Sequence, residues 1–182
     1  MTALQLGNPA LPFSLPGVDG KTYALENFQA SPVLVVMFSC NHCPYVQAYE
    51  DRLVAIQREY AAKGVAMVGI NPNDDRKYPD DSFPEMVKRA KAKGYNFPYL
   101  RDATQAVATA YGAARTPEVF VFDAARRLRY HGAIDDNWQE PAQVKTRFLR
   151  DALDAVLAGQ APPTADVYPV GCTISGPRSH DA

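Results

Sequence analysis

The strongest pattern in the chain is an unbroken apolar run, Val33-Leu34-Val35-Val36-Met37-Phe38. Such a run suits a central strand buried on both faces, as in a parallel sheet. After Cys43-Pro44 the period changes. Val46, Tyr49, Leu53, Ile56 and Tyr60 recur at three- and four-residue steps and mark one apolar face of a helix over 43–62. Pro44 falls in its first turn, where a missing N–H costs nothing, and Gly64 lies just past its end. Residues 65–70 read as the next buried strand and 71–81 as a polar loop forming a rim. Ser82-Phe83-Pro84-Glu85 is a capping box that opens a helix ending near Gly94. A short strand is expected over 97–100, and Asp102 and Gln105 cap a short helix that stops at Gly112. Residues 118–122 and 128–134 read as two strands joined by a tight polar turn. Val144, Phe148, Ala152 and Val156 mark a final helix ending at Gly159. Ahead of all these, Phe13-Ser14-Leu15 and Thr22-Tyr23-Ala24-Leu25 flank Asp19-Gly20 as a hairpin.

The predicted order is a hairpin, then β-α-β-α-(β)-α-β-β-α. Parallel strands with crossover helices require a sheet covered on both faces. A redox-sized domain over 1–160 is expected, followed by an irregular tail over 161–182 that carries Pro162, Pro163, Pro169 and Cys172. The length of 182 residues fits one domain. With 47% hydrophobic residues, 21% charged and a net charge of −1, nothing points to disorder, nucleic acid or an anionic membrane. Met1 to Gly7 shows no basic segment followed by an apolar one, and no apolar stretch reaches membrane-spanning length. The three cysteines make a poor disulfide scaffold and suit a reducing compartment. Cytoplasmic placement is therefore expected.

The chemistry centres on Phe38-Ser39-Cys40-Asn41-His42-Cys43-Pro44, where the buried strand meets the helix. A C-x-x-C at such a junction is a redox signal. Unpaired N–H groups at the helix N-terminus stabilise a thiolate. Two intervening residues bring both sulfurs within disulfide reach. Cys40, outside the helix, is expected to be the exposed nucleophile, with Cys43 resolving. His42 is expected to donate a hydrogen bond or a positive charge to the Cys40 thiolate and lower its pKa. Glu118, at the mouth of an apolar strand, is a candidate proton shuttle. Cys172 can reach back to resolve either sulfur.

In element order, leading hairpin and C-x-x-C motif, residues 5–160 resemble the thioredoxin superfamily, in the branch of alkyl hydroperoxide reductase and thiol-specific antioxidant proteins. The resemblance implies an α/β thioredoxin fold: an N-terminal β-hairpin extension and a central mixed sheet with helices on both faces. It also implies that Pro117, in Thr116-Pro117, is cis and packs against the redox cysteines, and that the Thr116 backbone pairs with a bound substrate chain. The implied activity is thiol–disulfide exchange, with a protein disulfide as substrate and a thiol reductant as partner. The alternative is peroxiredoxin-like hydroperoxide reduction. Peroxiredoxins carry Thr-x-x-Cys with the reactive cysteine second, which maps to Cys43. Cys40 then stands in the threonine position, and Val46 stands where an acidic residue is expected. Those departures weigh toward dithiol exchange. Oligomeric state is left open.

Two other classes differ in what they need. A metal-binding module would draw its ligands from Cys40, Cys43, Cys172 and either His42 or His131, but structural zinc sites use two paired knuckles and only one C-x-x-C exists. No metal or other cofactor is expected. A non-catalytic interaction domain would need no reactive pair. Lys88, Arg89, Lys91 and Lys93 read as a solvated helix face, and Trp138 as packing.

Overall fold

The computed structural model describes residues 4–174. The final eight positions of the expected tail, 175–182, lie outside the described residues. A hairpin of β1 (Ser14–Pro16) and β2 (Thr22–Ala24) leads, with Leu15 opposite Tyr23. There follow β3 (Val33–Phe38), α1 (Pro44–Tyr60), β4 (Val65–Asn71), α2 (Phe83–Ala92), β5 (Tyr99–Arg101) and α3 (Ala106–Tyr111). Then come β6 (Arg115–Thr116), β7 (Glu118–Phe122), β8 (Leu128–Gly132), α4 (Phe148–Leu157) and β9 (Cys172–Thr173).

The central sheet has five strands in the order β5-β4-β3-β7-β8. The pairs β3–β4 and β4–β5 are parallel, while β3–β7 and β7–β8 are antiparallel. This is the mixed thioredoxin-fold sheet that the sequence implied. The apolar run is unbroken because β3 is central and alternate side chains face opposite cores. Val33, Val35 and Met37 join Leu53 and Ile56 of α1 and Leu149 and Leu153 of α4 on one face. Leu34, Val36 and Phe38 join Ile70, Tyr111 and Phe120 on the other.

Several boundaries depart from expectation. α4 begins at Phe148, after a single 3-10 turn at Pro141–Gln143. The residues between are drawn away by the preceding loop: the Lys145 amide donates to Asp136 Oδ1 at 2.9 Å, and the Thr146 carbonyl accepts from the Asp136 amide at 3.2 Å. β8 ends at Gly132, two residues early. The basic helix face is only partly solvated, because Arg89 is ion-paired with Glu50, which is fully buried. Trp138 packs 4.4 Å from the Tyr45 ring, as a packing residue should.

Candidate redox site

β3 delivers the cysteines to the end of the sheet, and the Ser39 amide extends the ladder by donating to the Ile70 carbonyl at 2.8 Å. Cys43 is the N-cap of α1, with extended backbone, and Pro44 begins the helix. The Thr116–Pro117 peptide is cis, and it brings Thr116 against both sulfurs. Thr116 Oγ1 lies 3.4 Å from Cys40 Sγ, and the Thr116 carbonyl oxygen lies 3.4 Å from Cys43 Sγ.

Cys43 is bonded to Cys172, with the two Cα atoms 6.2 Å apart, and Cys40 is the free thiol. A disulfide sulfur carries no proton, so the contact between Cys43 and the Thr116 carbonyl is packing. Cys172 reaches Cys43 because β9 pairs with β6, which sets Cys172 opposite Thr116. The bond present in this state thus joins the second cysteine of the motif to the distal one, rather than the two motif cysteines to each other.

Two expectations about Cys40 need correction. It is 0% exposed, as buried as Cys43, and only Cys172 retains partial exposure. Its thiol is also not acidified: burial, and then the nearby Asp81 carboxylate, push its pKa up to about 12, against weaker support for the thiolate from Thr116 and the Cys43 and His42 amides. The reason lies in Asp81, a residue the sequence placed at the end of a solvated loop. It is fully buried, and His42 Nδ1 is paired with its Oδ2 rather than with the sulfur. Asp81 Oδ1 accepts from the Asn41 amide at 2.6 Å and from Asn71 Nδ2 at 3.2 Å, and Oδ2 accepts from Asn73 Nδ2 at 3.1 Å. Tyr99 donates to Asn41 Oδ1 at 2.8 Å, and the His42 ring stacks on Tyr78 with centroids 4.1 Å apart. The supposed rim therefore folds inward and supplies a negative charge beneath the motif.

Cys40, His42 and Asp81 hold donor atoms within 4.8 Å of one another, a cluster that differs from the ligand set weighed for a metal-binding module from sequence. Both oxygens of Asp81 are already committed to four hydrogen-bond partners, and Cys43 and Cys172 to each other.

Glu118 sits beside Pro117, and its carboxylate is taken up by partners other than the sulfurs. Its Oε1 accepts from the Ala114 and Arg115 amides at 3.2 Å each, and its Oε2 lies 3.0 Å from His131 Nε2. His131 Nδ1 lies 3.0 Å from Asp166 Oδ1. These carboxylates raise the His131 pKa, outweighing a burial effect that pulls it down. The three residues line a cleft of about 380 Å³ together with Arg115 and Tyr168. The sequence offers His131 only as one possible metal ligand in a late strand and gives no role to Asp81, Arg115 or Asp166. None carried a local signal, since each acts through a partner distant in the chain.

The model of the AhpC/TSA family matches residues 6–131. The chain belongs to the AhpC/TSA family. A crystal structure of an uncharacterized conserved protein from Geobacillus kaustophilus is 41% identical, with a TM-score of 0.91 over 98% of this chain and 95% of that one. A crystal structure of a hypothetical protein, SMc02350, from Sinorhizobium meliloti 1021 is 42% identical, with a TM-score of 0.87 over 95% of each chain. A Mycobacterium tuberculosis protein provisionally named a peroxiredoxin, Rv2521, is 29% identical over 140 residues, which are 75% of this chain and 82% of that one. This AhpC/TSA-family chain is thus a thioredoxin-fold protein of the peroxiredoxin-like branch. Among its described residues, no helix is long and apolar enough to cross a membrane.

Proposed function

We propose that the protein is a thiol–disulfide oxidoreductase whose working disulfide is Cys43–Cys172, with Cys40 as the neighbouring thiol. The observation that supports this most is the bond itself, which joins two sulfurs at Thr116-Pro117 across 129 residues of sequence. In the reduced protein Cys43, at the N-terminus of α1, attacks one sulfur of a disulfide substrate, and the first thiol leaves with a proton. Cys172 then attacks the Cys43 sulfur. The mixed disulfide breaks, the second thiol leaves, and Cys43–Cys172 forms. A thiol reductant reopens the bond by the reverse exchange. Cys43 takes the attacking role that sequence alone gave to Cys40, because Cys43 is the motif cysteine bonded to Cys172 and Asp81 stands beside Cys40. Cys40 remains placed, through Thr116, to exchange with Cys43.

The same bond favours a second reading, hydroperoxide reduction. Cys43 would attack the peroxide oxygen, giving a sulfenic acid and an alcohol or water, and Cys172 would condense with it and release water. The test is to reduce the protein fully, then mix it separately with hydroxyethyl disulfide and with hydrogen peroxide, mapping the product by mass spectrometry. Disulfide exchange predicts rapid Cys43–Cys172 formation with the disulfide and a peroxide rate near that of an ordinary thiolate. A peroxide rate many orders higher would replace it with the peroxidase reading. Formation of Cys43–Cys172 with neither oxidant would overturn both.

A further inference from the structure

The segment 165–174 is held against the domain by many contacts that involve no sulfur. Beside β8, the His131 amide donates to the Ala165 carbonyl and the Val167 amide donates to the His131 carbonyl, each at 3.0 Å. The His131 ring adds its contact to Asp166 at 3.0 Å, backed by Glu118 on the other nitrogen. At the β6 edge, Thr173 lies opposite Arg115 and Cys172 opposite Thr116. The Ile174 amide donates to the Ala114 carbonyl at 3.0 Å, and its side chain enters the core at 6% exposure. Arg115 spans the approach. Its guanidinium donates to Tyr168 Oη at 3.1 Å and to the Gly171 carbonyl at 3.0 Å, and lies 5.4 Å from the Tyr168 ring centroid.

Two glycines make room for this docking, one on each side of it. A Cβ at Gly171 would overlap the Thr116 carbonyl. A Cβ at Gly132, whose φ is +138°, would overlap the Val167 carbonyl. The close approach is therefore written into both the domain, at Gly132, and the segment, at Gly171.

We propose that 165–174 is an arm that stays docked when the disulfide opens, and that Arg115 is a positioning residue that keeps Cys172 facing Cys43 as a pre-placed partner thiol. Its bearing on turnover rests on the redox reading above, but the docking does not. A tail tethered only at the end of α4 would present Cys172 at an effective concentration on the order of mM. An arm already fixed by hydrogen bonds and a buried side chain has lost that freedom before the sulfurs meet, so its effective concentration is higher. The equilibrium that reports it is balanced: two protein thiols and one glutathione disulfide give Cys43–Cys172 and two molecules of glutathione.

Two measurements test this. In Cys172→Ser, amide hydrogen exchange at Val167 and Ile174 should remain far slower than in an unfolded peptide, as slow as the amides of the β3–β7 ladder in the same variant allow. Exchange at the rate of an unfolded peptide would overturn the proposal. In glutathione buffers, the wild-type effective concentration should exceed the tether value by about 100-fold or more. It should fall about tenfold in Arg115→Gln, the size of a lost charge-assisted hydrogen bond, fall further in Gly171→Ala, and recover in part in Arg115→Lys. An unchanged equilibrium in Arg115→Gln and Gly171→Ala would refute the positioning role. Denaturation midpoints of the reduced variants separate lost positioning from a weakened fold, and where a midpoint drops, the Cys172→Ser exchange data decide. Failure of the protein to react with either oxidant would sink the redox reading while leaving the exchange result intact.

Discussion

Opening Cys43–Cys172 should cost the protein a large part of its stability, and the size follows from topology. The bond closes a loop with a sequence separation of 129, which takes in nearly the whole sheet, so it constrains almost every conformation of the unfolded chain. The chain-entropy relation for a loop of that length gives about 5 kcal/mol at 25 °C, and measured values commonly reach about 2–4 kcal/mol. Native contacts offset little of this, because β9 and Ile174 have the same partners with the bond open or closed. The assay is urea denaturation of oxidised protein, reduced protein and Cys172→Ser, with the redox state verified by mass. For a domain with a urea slope of about 2 kcal/mol/M, the midpoint should fall by about 1–2 M on reduction. Cys172→Ser should behave like the reduced protein. A midpoint shift below about 0.3 M, with an unchanged slope, would refute the reasoning. It would mean that the unfolded chain gains no freedom when the loop is opened.

Two further outcomes follow from the site's electrostatics. The Cys40 thiol, pushed up to about 12, should be nearly inert in the oxidised native protein at pH 8. Iodoacetamide should label it about a thousandfold more slowly than in urea, where an ordinary thiol pKa of about 8.5 returns; comparable rates would contradict its burial beside Asp81. His131 binds its proton more tightly in the folded protein than in the unfolded chain, because Glu118 and Asp166 outweigh the opposing effect of burial. Its contribution to stability is therefore complete below the unfolded value of about 6.5 and is lost as pH rises through the higher folded value. His131→Gln should abolish that part of the pH dependence of the denaturation midpoint, and an identical pH profile in the variant would show that the Glu118–His131–Asp166 chain carries no such linkage.

Much of the fold was legible before any coordinates. The 33–38 run, the helical period after Pro44, the Ser82 cap and the strand pair around 118–132 all depend on neighbours a few residues away, and periodicity records such neighbours. Where the reading slipped, a longer-range partner intervened. Asp136 takes up the Lys145 amide and the Thr146 carbonyl, so α4 starts late. Glu50 claims Arg89, so a helix face that looked solvated is half an ion pair.

At the site, the sequence by itself determined which atoms are present and at which end of the sheet. A C-x-x-C between a buried strand and a proline-started helix places the cysteines from local pattern, and the family resemblance implies the cis state of Pro117. Tertiary structure decided how those atoms are connected and charged. Asp81 is drawn beneath the motif by Asn41, Asn71 and Asn73 and takes up His42 Nδ1, and burial together with that carboxylate raises the Cys40 pKa. Cys172 comes to Cys43 from far along the chain because β9 fits the β6 edge and Gly171 lets it approach Thr116. Burial and partner choice belong to the packed molecule as a whole. A thiol's proton affinity depends on its burial and on every charge within a few ångströms, and here the nearby charge comes from a loop whose own sequence carries no mark of the site.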